Sequence, residues 1–240
     1  MIDFDGVSFT YPDGTQVLFD VSLRVPAGTT LALLGASGSG KTTLLHVLLG
    51  LLKPQDGRVL VDDVDIVPLS EKKLRPVRRR MGVVFQDGAL FDSLTVGENV
   101  SFLIREVMDL GEAEIEARTL RQLEYVGLGH TLDLMPDELS GGMRRRVAVA
   151  RAMAAADPAI MVYDEPTSGL DPITADTICD LVRKVSEEKG LTSVLVTHRL
   201  RDAFKVADRI ALFKDGRVHF FGDREELFAL EDPYVQRFLA

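Results

Sequence analysis

Thr30-Leu31-Ala32-Leu33-Leu34-Gly35-Ala36-Ser37-Gly38-Ser39-Gly40-Lys41-Thr42-Thr43 runs from a short apolar strand through a glycine-rich loop into a helix expected from about Thr42 to Leu49. Residues Gly35 to Thr42 fit the phosphate-loop pattern G-x-x-x-x-G-K-[S/T]. Glycines let consecutive backbone N–H groups converge on an anion, and the positive end of the following helix adds to that field. Lys41 supplies a charge for the β- and γ-phosphates of a nucleotide, and the Thr42 hydroxyl is placed to ligate Mg²⁺. The nucleotide-binding set is therefore Gly35, Ala36, Ser37, Gly38, Ser39, Gly40, Lys41, Thr42 and Thr43. A strand, a glycine loop and a helix in this order open a parallel α/β unit.

Upstream, Val7–Tyr11 and Val17–Phe19 read as strands around the turn signal Pro12-Asp13-Gly14. Downstream, strands are expected at Gly57–Asp62 and Gly82–Phe85. From about Leu90 to Ala155 the pattern becomes helical. Ile115, Leu120, Leu123 and Val126 form an apolar stripe on a helix closed by Gly127, and Met143–Ala156 is a second, alanine- and arginine-rich helix. Alternation of strand and helix then resumes with strand Ile160–Tyr163, helix Pro172–Lys189 and strand Ser193–Val196. The helix has Asp171 as N-cap and Pro172 at its first position. Its apolar face is Ile178, Leu181, Val182 and Val185, and Gly190 stops it. After Asp223, helical caps at Asp223 and Asp232-Pro233 precede apolar Val235, Phe238 and Leu239, a segment that can pack on the core, on a second protomer or on another subunit.

Strand Ile160–Tyr163 delivers Asp164 to its carboxyl end, the edge at which open α/β sheets bind ligands. Beside a phosphate loop, Asp164 is the candidate Mg²⁺ carboxylate, and Glu165 the candidate general base for an attacking water. His198 closes the strand Ser193 to Thr197 at the same edge, within reach of a γ-phosphate.

The chain of 240 residues carries 28 basic and 37 acidic residues, a net charge of −9, with 46% hydrophobic and 27% charged residues. That balance excludes disorder as the main state, and the acidic total argues against general nucleic-acid binding. The single cysteine, Cys179, cannot form an intrachain bridge, which fits a reducing compartment. The longest apolar stretch, Leu44 to Leu52, is interrupted by His46 and Gly50 and falls short of the roughly 20 residues a spanning helix needs. The N-terminus lacks the basic and apolar regions of a secretory signal. These features read as a soluble, acidic, intracellular protein with no direct membrane insertion.

Leu139-Ser140-Gly141-Gly142-Met143 leads a second helix with a serine and two glycines, a second anion-binding N-terminus. It resembles the signature motif of ABC-type ATPases, the nucleotide-binding subunits of ABC transporters. The resemblance extends in order along the chain. Tyr11 looks like the aromatic that stacks on adenine, and Gln86 like the glutamine that senses Mg²⁺ and the membrane partner. Ser168-Gly169-Leu170-Asp171 looks like the loop crossing a dimer interface, and His198 like the switch histidine on the γ-phosphate.

What the resemblance implies is an α/β fold: a P-loop NTPase (RecA-like) core, an N-terminal antiparallel β-subdomain and an inserted helical subdomain carrying the signature. The expected division is core at 1–89 and 157–222, helical subdomain at 90–156 and C-terminal helical extension at 223–240. It also implies ATP and Mg²⁺ as ligands and a head-to-tail homodimer in which each ATP lies between one subunit's phosphate loop and the other's signature. Hydrolysis of that ATP would let the dimer open. One cassette without a membrane span looks like a subunit docked on a separate permease, peripheral on the cytoplasmic face of a bacterial inner membrane, with no nucleic-acid role.

Met143 stands where most relatives have glutamine, and Arg144-Arg145-Arg146 follows. With Arg78-Arg79-Arg80-Met81, Asp87 to Val96 and Asp171 to Thr174, this looks like the Mla-type ATPases of MCE-associated transporters, which move phospholipids or other lipids. That resemblance implies an Mla-type permease and an MCE-domain protein as partners. Taken alone, the arginine runs read as solvated faces. Leu90, Phe91 and Leu94 are expected either to form an apolar surface for the permease or to fill the helical insertion's own core. A small-solute importer such as an amino-acid system is the rival transport reading, and a soluble non-transport ABC protein the rival from another class.

Overall fold

The computed structural model describes residues 1–154 and 158–239. Among these, β1 (Ile2–Thr10) and β2 (Gln16–Val25) form the expected hairpin, with Thr10 opposite Gln16 and Phe9 opposite Leu18. β4 (Asp56–Val61) pairs antiparallel with the other edge of β1, and the short β5 (Val64–Asp65) completes a sheet ordered β2-β1-β4-β5. A second sheet contains β3 (Thr30–Gly35), β6 (Met81–Val84), β7 (Ile160–Asp164), β8 (Thr192–Val196), β9 (Arg209–Lys214) and β10 (Arg217–Gly222). Its order is β10-β9-β3-β8-β7-β6, parallel throughout except for β10 against β9.

Side-chain alternation along the parallel strands assigns residues to different cores. Leu31 and Leu33 of β3 join the cluster shared with the first sheet and α1 (Lys41–Leu48), whereas Ala32 and Leu34 face a separate cluster on the other side. Likewise Ile160 and Val162 of β7 belong to the first cluster, and Met161 and Tyr163 to a helical one. Strands buried on both faces read as unbroken apolar runs, which is how β3, β7 and β8 read in the sequence.

The helical cluster gathers α3 (Val96–Val107), α4 (Glu112–Tyr125), α5 (Gly141–Ala154) and α6 (Pro172–Lys189). Thr95 opens α3 with a reciprocal capping box to Glu98. α6 has the expected bounds, because its signals are local: Asp171 Oδ1 accepts from the Ile173 and Thr174 amides, and Gly190 closes it at a positive φ. α5 begins two residues before the expected start, and the expected end at Ala155 and Ala156 lies outside the described residues, as does the division at 156/157. On α4, Ile115, Leu123 and Val126 are buried as expected, but Leu120 is 38% exposed. At 3.6 residues per turn it lies about 140° round the helix from Ile115, off the buried stripe.

Two further helices have no counterpart in the sequence expectations, α2 (Glu71–Arg78), which carries Pro76, and α7 (Leu200–Val206), whereas the C-terminal α8 (Arg224–Ala229) starts at the expected cap Asp223. α8 and α9 (Pro233–Leu239) resolve the placement of the C-terminal segment. Leu227 and Val235 are buried with Ala203, Ile210 and Leu212, and Phe238 and Leu239 pack on that cluster, so the segment folds on its own chain's core.

Candidate functional site

The site forms where β3, β7 and β8 end side by side. β3 delivers Gly35 at φ +151, and a Cβ there would lie 2.5 Å from the Phe213 carbonyl oxygen, so only glycine fits the close approach of β9. The loop then enters α1, whose first residue is Lys41. Lys41 is buried, and its Nζ donates to the carbonyls of Gly35 and Ala36, each at 2.9 Å. Burial holds this ammonium below the usual lysine range, while Glu165 and then Asp164 pull it back. Ser39 Oγ is buried in the same loop with no hydrogen-bond partner among the described residues, a polar atom that a bound anion would satisfy.

Thr42 Oγ1 donates to Asp164 Oδ1 at 3.4 Å, which ties the start of α1 to the end of β7. Burial raises the Asp164 carboxyl above its ordinary value, with adjacent Glu165 adding to the rise; His46, the Thr42 hydrogen bond and Lys41 oppose it. A partly desolvated carboxylate beside a hydroxyl suits a hard divalent cation. Mg²⁺ takes one or two protein oxygens and completes its shell from phosphates and water. Among the described residues no group of three or more His, Cys, Asp or Glu could hold a metal by itself, so Thr42 and Asp164 fit a metal that arrives with a nucleotide.

Glu165 follows at φ +46, uncommon for a residue with a Cβ, and its amide donates to the Val196 carbonyl at 2.9 Å. This turns the side chain toward β8, where His198 Nδ1 lies 2.8 Å from Glu165 Oε2. A carboxylate can only accept, so the proton of that bond sits on Nδ1. Lys41, Thr42, Asp164, Glu165 and His198 are therefore brought to one sheet edge from sequence positions far apart.

Tyr11 packs edge-on against Phe9, with its hydroxyl 3.2 Å from Thr43 Oγ1, so it borders the loop's helix. Gln86 is exposed just past the end of β6, the strand beside β7. Ser140 Oγ accepts from the Met143 amide at 3.2 Å and caps α5. Leu139 is buried and Met143 packs on the helical cluster. Gly141 and Gly142 bring α5 against the loop after Glu165 and the first turn of α6: a Cβ on Gly141 would press on Leu170, and one on Gly142 would overlap the Thr174 methyl. Along that loop Ser168 N donates to the Glu165 carbonyl, Leu170 N to the Thr167 carbonyl, and Gly169 has φ +72 before Asp171 caps α6.

The arginine runs do not form solvated faces throughout. Arg78 bonds the Leu49 and Gly50 carbonyls at the end of α1, and Arg145 is almost fully buried. The sequence reading did not single out Arg145, nor Thr167 and Asp202, which are buried and hydrogen-bonded to each other behind the Glu165 turn. Of Leu90, Phe91 and Leu94, Phe91 is exposed and packs at a tilt against exposed Phe102, ring centroids 4.9 Å apart, while Leu90 packs on the helical cluster. No helix among the described residues is long and apolar enough to cross a membrane.

A profile of the ABC transporter family matches residues 18–168. The intermembrane phospholipid transport system ATP-binding protein MlaF of Haemophilus influenzae is 42% identical over 233 residues, covering 97% of this chain and 88% of that protein. The probable ribonucleotide transport ATP-binding protein mkl of Mycobacterium leprae is 40% identical over 225 residues, 94% of this chain but 65% of that longer one. A dimeric ATP-binding cassette, solved in a post-hydrolysis state with ADP and Pi, superposes with a TM-score of 0.85 at 36% identity, covering 93% of this chain and 98% of its own. Likeness of this degree, in sequence and in fold and over nearly the whole length, means that the chain belongs to the ABC transporter family.

Proposed function

We propose that the chain is the ATP-binding and ATP-hydrolysing subunit of a phospholipid transporter, working as a head-to-tail homodimer on a separate membrane permease. The convergence of Lys41, Thr42, Asp164, Glu165 and His198 at one sheet edge carries the catalytic half of this reading. The lipid half is supported by 42% identity to a phospholipid-system relative that this chain spans to 88% of its length, against 65% for the ribonucleotide-named one.

In this reading the amides of Gly35 to Thr42 and the ammonium of Lys41 bind the β- and γ-phosphates, with Lys41 exchanging its loop carbonyls for phosphate oxygens. Ser39 Oγ gains a partner among the same oxygens. Thr42 and Asp164 would hold Mg²⁺, which when bound supplies charge neutralisation on the phosphates. Glu165 orients a water in line with the γ-phosphorus and takes its proton. His198 keeps Glu165 in place through Nδ1, and when the ring carries a proton on both nitrogens its Nε2–H donates to the γ-phosphate. Tyr11 stacks on the base, Gln86 faces the metal and the permease, and Ser140, Gly141 and Gly142 bind the γ-phosphate held by the second protomer. Ser168 to Asp171 cross the interface between the two. Residues 1–89 and 157–222 act as the nucleotide-binding core, 90–156 as the helical signature subdomain and 223–240 as an extension.

Exposed Phe91 and Phe102 supply an apolar surface suited to a permease segment on the cytoplasmic face of an inner membrane. An MCE-domain protein completes the proposed assembly. Purifying the membrane complex through this chain and identifying its proteins and lipids by mass spectrometry tests the cargo reading. A permease with an MCE-domain protein and enriched phospholipid is the expected result. A periplasmic amino-acid-binding protein in their place would overturn it in favour of small-solute import.

A further inference from the structure

α5 grips the loop that follows Gln86 with two guanidinium groups. Arg145 Nη2 donates to Asp87 Oδ1 at 2.8 Å and to the Ser168 carbonyl at 3.1 Å, and its Nε donates to the Pro166 carbonyl at 3.0 Å. Six residues on, Arg151 donates to the carbonyls of Gly88 and Ala89 at 2.9 and 2.7 Å. Asp87, Gly88 and Ala89 all have positive φ, and Gly88 lies against the Arg144 carbonyl of the same helix. Only 3% of the Arg145 side chain is exposed, whereas Asp87 is open to solvent.

The two carbonyls that Arg145 binds flank Thr167 within the turn that starts at Glu165. From the other side, the turn's middle residue Thr167 donates its hydroxyl to buried Asp202, and Arg199 reaches the Thr167 carbonyl at 3.4 Å. Glu165 itself sits at φ +46, a conformation that persists only where the surroundings over-determine it. Arginine's planar fork suits this junction, since three acceptors on two segments need fixed donor directions that a lysine ammonium lacks.

We propose that Arg145 is a positioning residue for hydrolysis: its guanidinium locks the Glu165–Ser168 turn to the Asp87–Ala89 loop, so the order of that loop sets the aim of the catalytic carboxylate. The proposal rests on the reading of Glu165 as the general base. Arg145 touches no nucleotide-binding residue of the Gly35–Thr43 loop in its hydrogen bonds, so its loss should act on turnover and leave nucleotide affinity alone.

The test is steady-state hydrolysis of Mg·ATP by the full chain, with thermal melting measured on each variant. Arg145→Lys is expected to lower kcat about 10- to 100-fold, the scale of a small misplacement of a reacting group, with KM within about twofold. Asp87→Asn removes only the charge at the exposed end of the junction; it should melt like wild type and lower kcat about threefold to tenfold. In the double variant, Asp87→Asn should cost nothing beyond Arg145→Lys, because both break one junction. Wild-type kcat in a folded Arg145→Lys chain, or losses that multiply in the double variant, would overturn the proposal. If Arg145→Lys does not fold, Asp87→Asn decides alone, and an unchanged kcat there overturns it. Glu165→Gln run alongside separates the two claims. Full turnover in that variant removes the base reading, whereas its inactivity beside an unimpaired Arg145→Lys removes only the junction.

Discussion

Lys41 shows how one side chain can be both poised and restrained. Its Nζ is held by two loop carbonyls, in a place where burial disfavours its charge and two carboxylates favour it. A nucleotide phosphate exchanges neutral acceptors for a charged one, and a charge-assisted bond of about 1.5–3 kcal/mol is the gain. Lys41→Ala should therefore weaken nucleotide binding by roughly 10- to 150-fold, read by titration with a fluorescent ATP analogue, while the melting temperature stays close to wild type. Binding within twofold of wild type would remove Lys41 from the phosphate site. Residue identities at this site were legible in the sequence because the phosphate loop, the acid pair after a strand and the histidine after the next strand are each local patterns. Arg145 was not legible. A triple arginine reads as a solvated face, and its burial depends on acceptors 21 and 58 residues away that only the fold brings together.

Among the elements, chemical punctuation placed α6 at its expected bounds, but the Pro12–Gly14 turn marked only where the first hairpin turns, since β1 and β2 extend well beyond Val7–Tyr11 and Val17–Phe19. α6 has its aspartate cap and terminal glycine at the ends the sequence marks. α2 is mostly polar and carries Pro76, so nothing in its pattern announces a helix. The β9–β10 hairpin did carry a signal, because Asp215-Gly216 turns with both residues at positive φ, a preferred two-residue hairpin turn. The start of α5 depends on closeness: Gly142 leaves no room for a Cβ beside Thr174, a β-branched residue whose methyl cannot swing freely. Gly142→Ala should cost about 1–3 kcal/mol and lower the melting temperature, and adding Thr174→Ala should restore most of it. An unshifted melt in the single variant would show that the approach is slack. For the loop before α3, Phe91→Asp should leave hydrolysis by the isolated chain intact and abolish co-purification with the permease. Loss of fold in that variant would assign Phe91 to the helical core instead.

Across the whole molecule, two sheets and a helical cluster leave the catalytic edge at the ends of β3, β7 and β8, with the signature serine and glycines at the start of a separate helix. In the proposed reading, a chain with two anion-binding helix starts is complete as an enzyme when a second copy supplies the facing half; the solved cassette to which it is similar is dimeric. In that reading the acidic total of −9 is no obstacle, since phosphate is met locally by amides and Lys41. The most direct test is Glu165→Gln, analysed by light scattering with and without Mg·ATP while phosphate release is followed. The expected result is an ATP-dependent shift from monomer to a stable dimer that retains ATP, with turnover reduced about 100-fold or more. A variant that stays monomeric in Mg·ATP and hydrolyses it at the wild-type rate would contradict it.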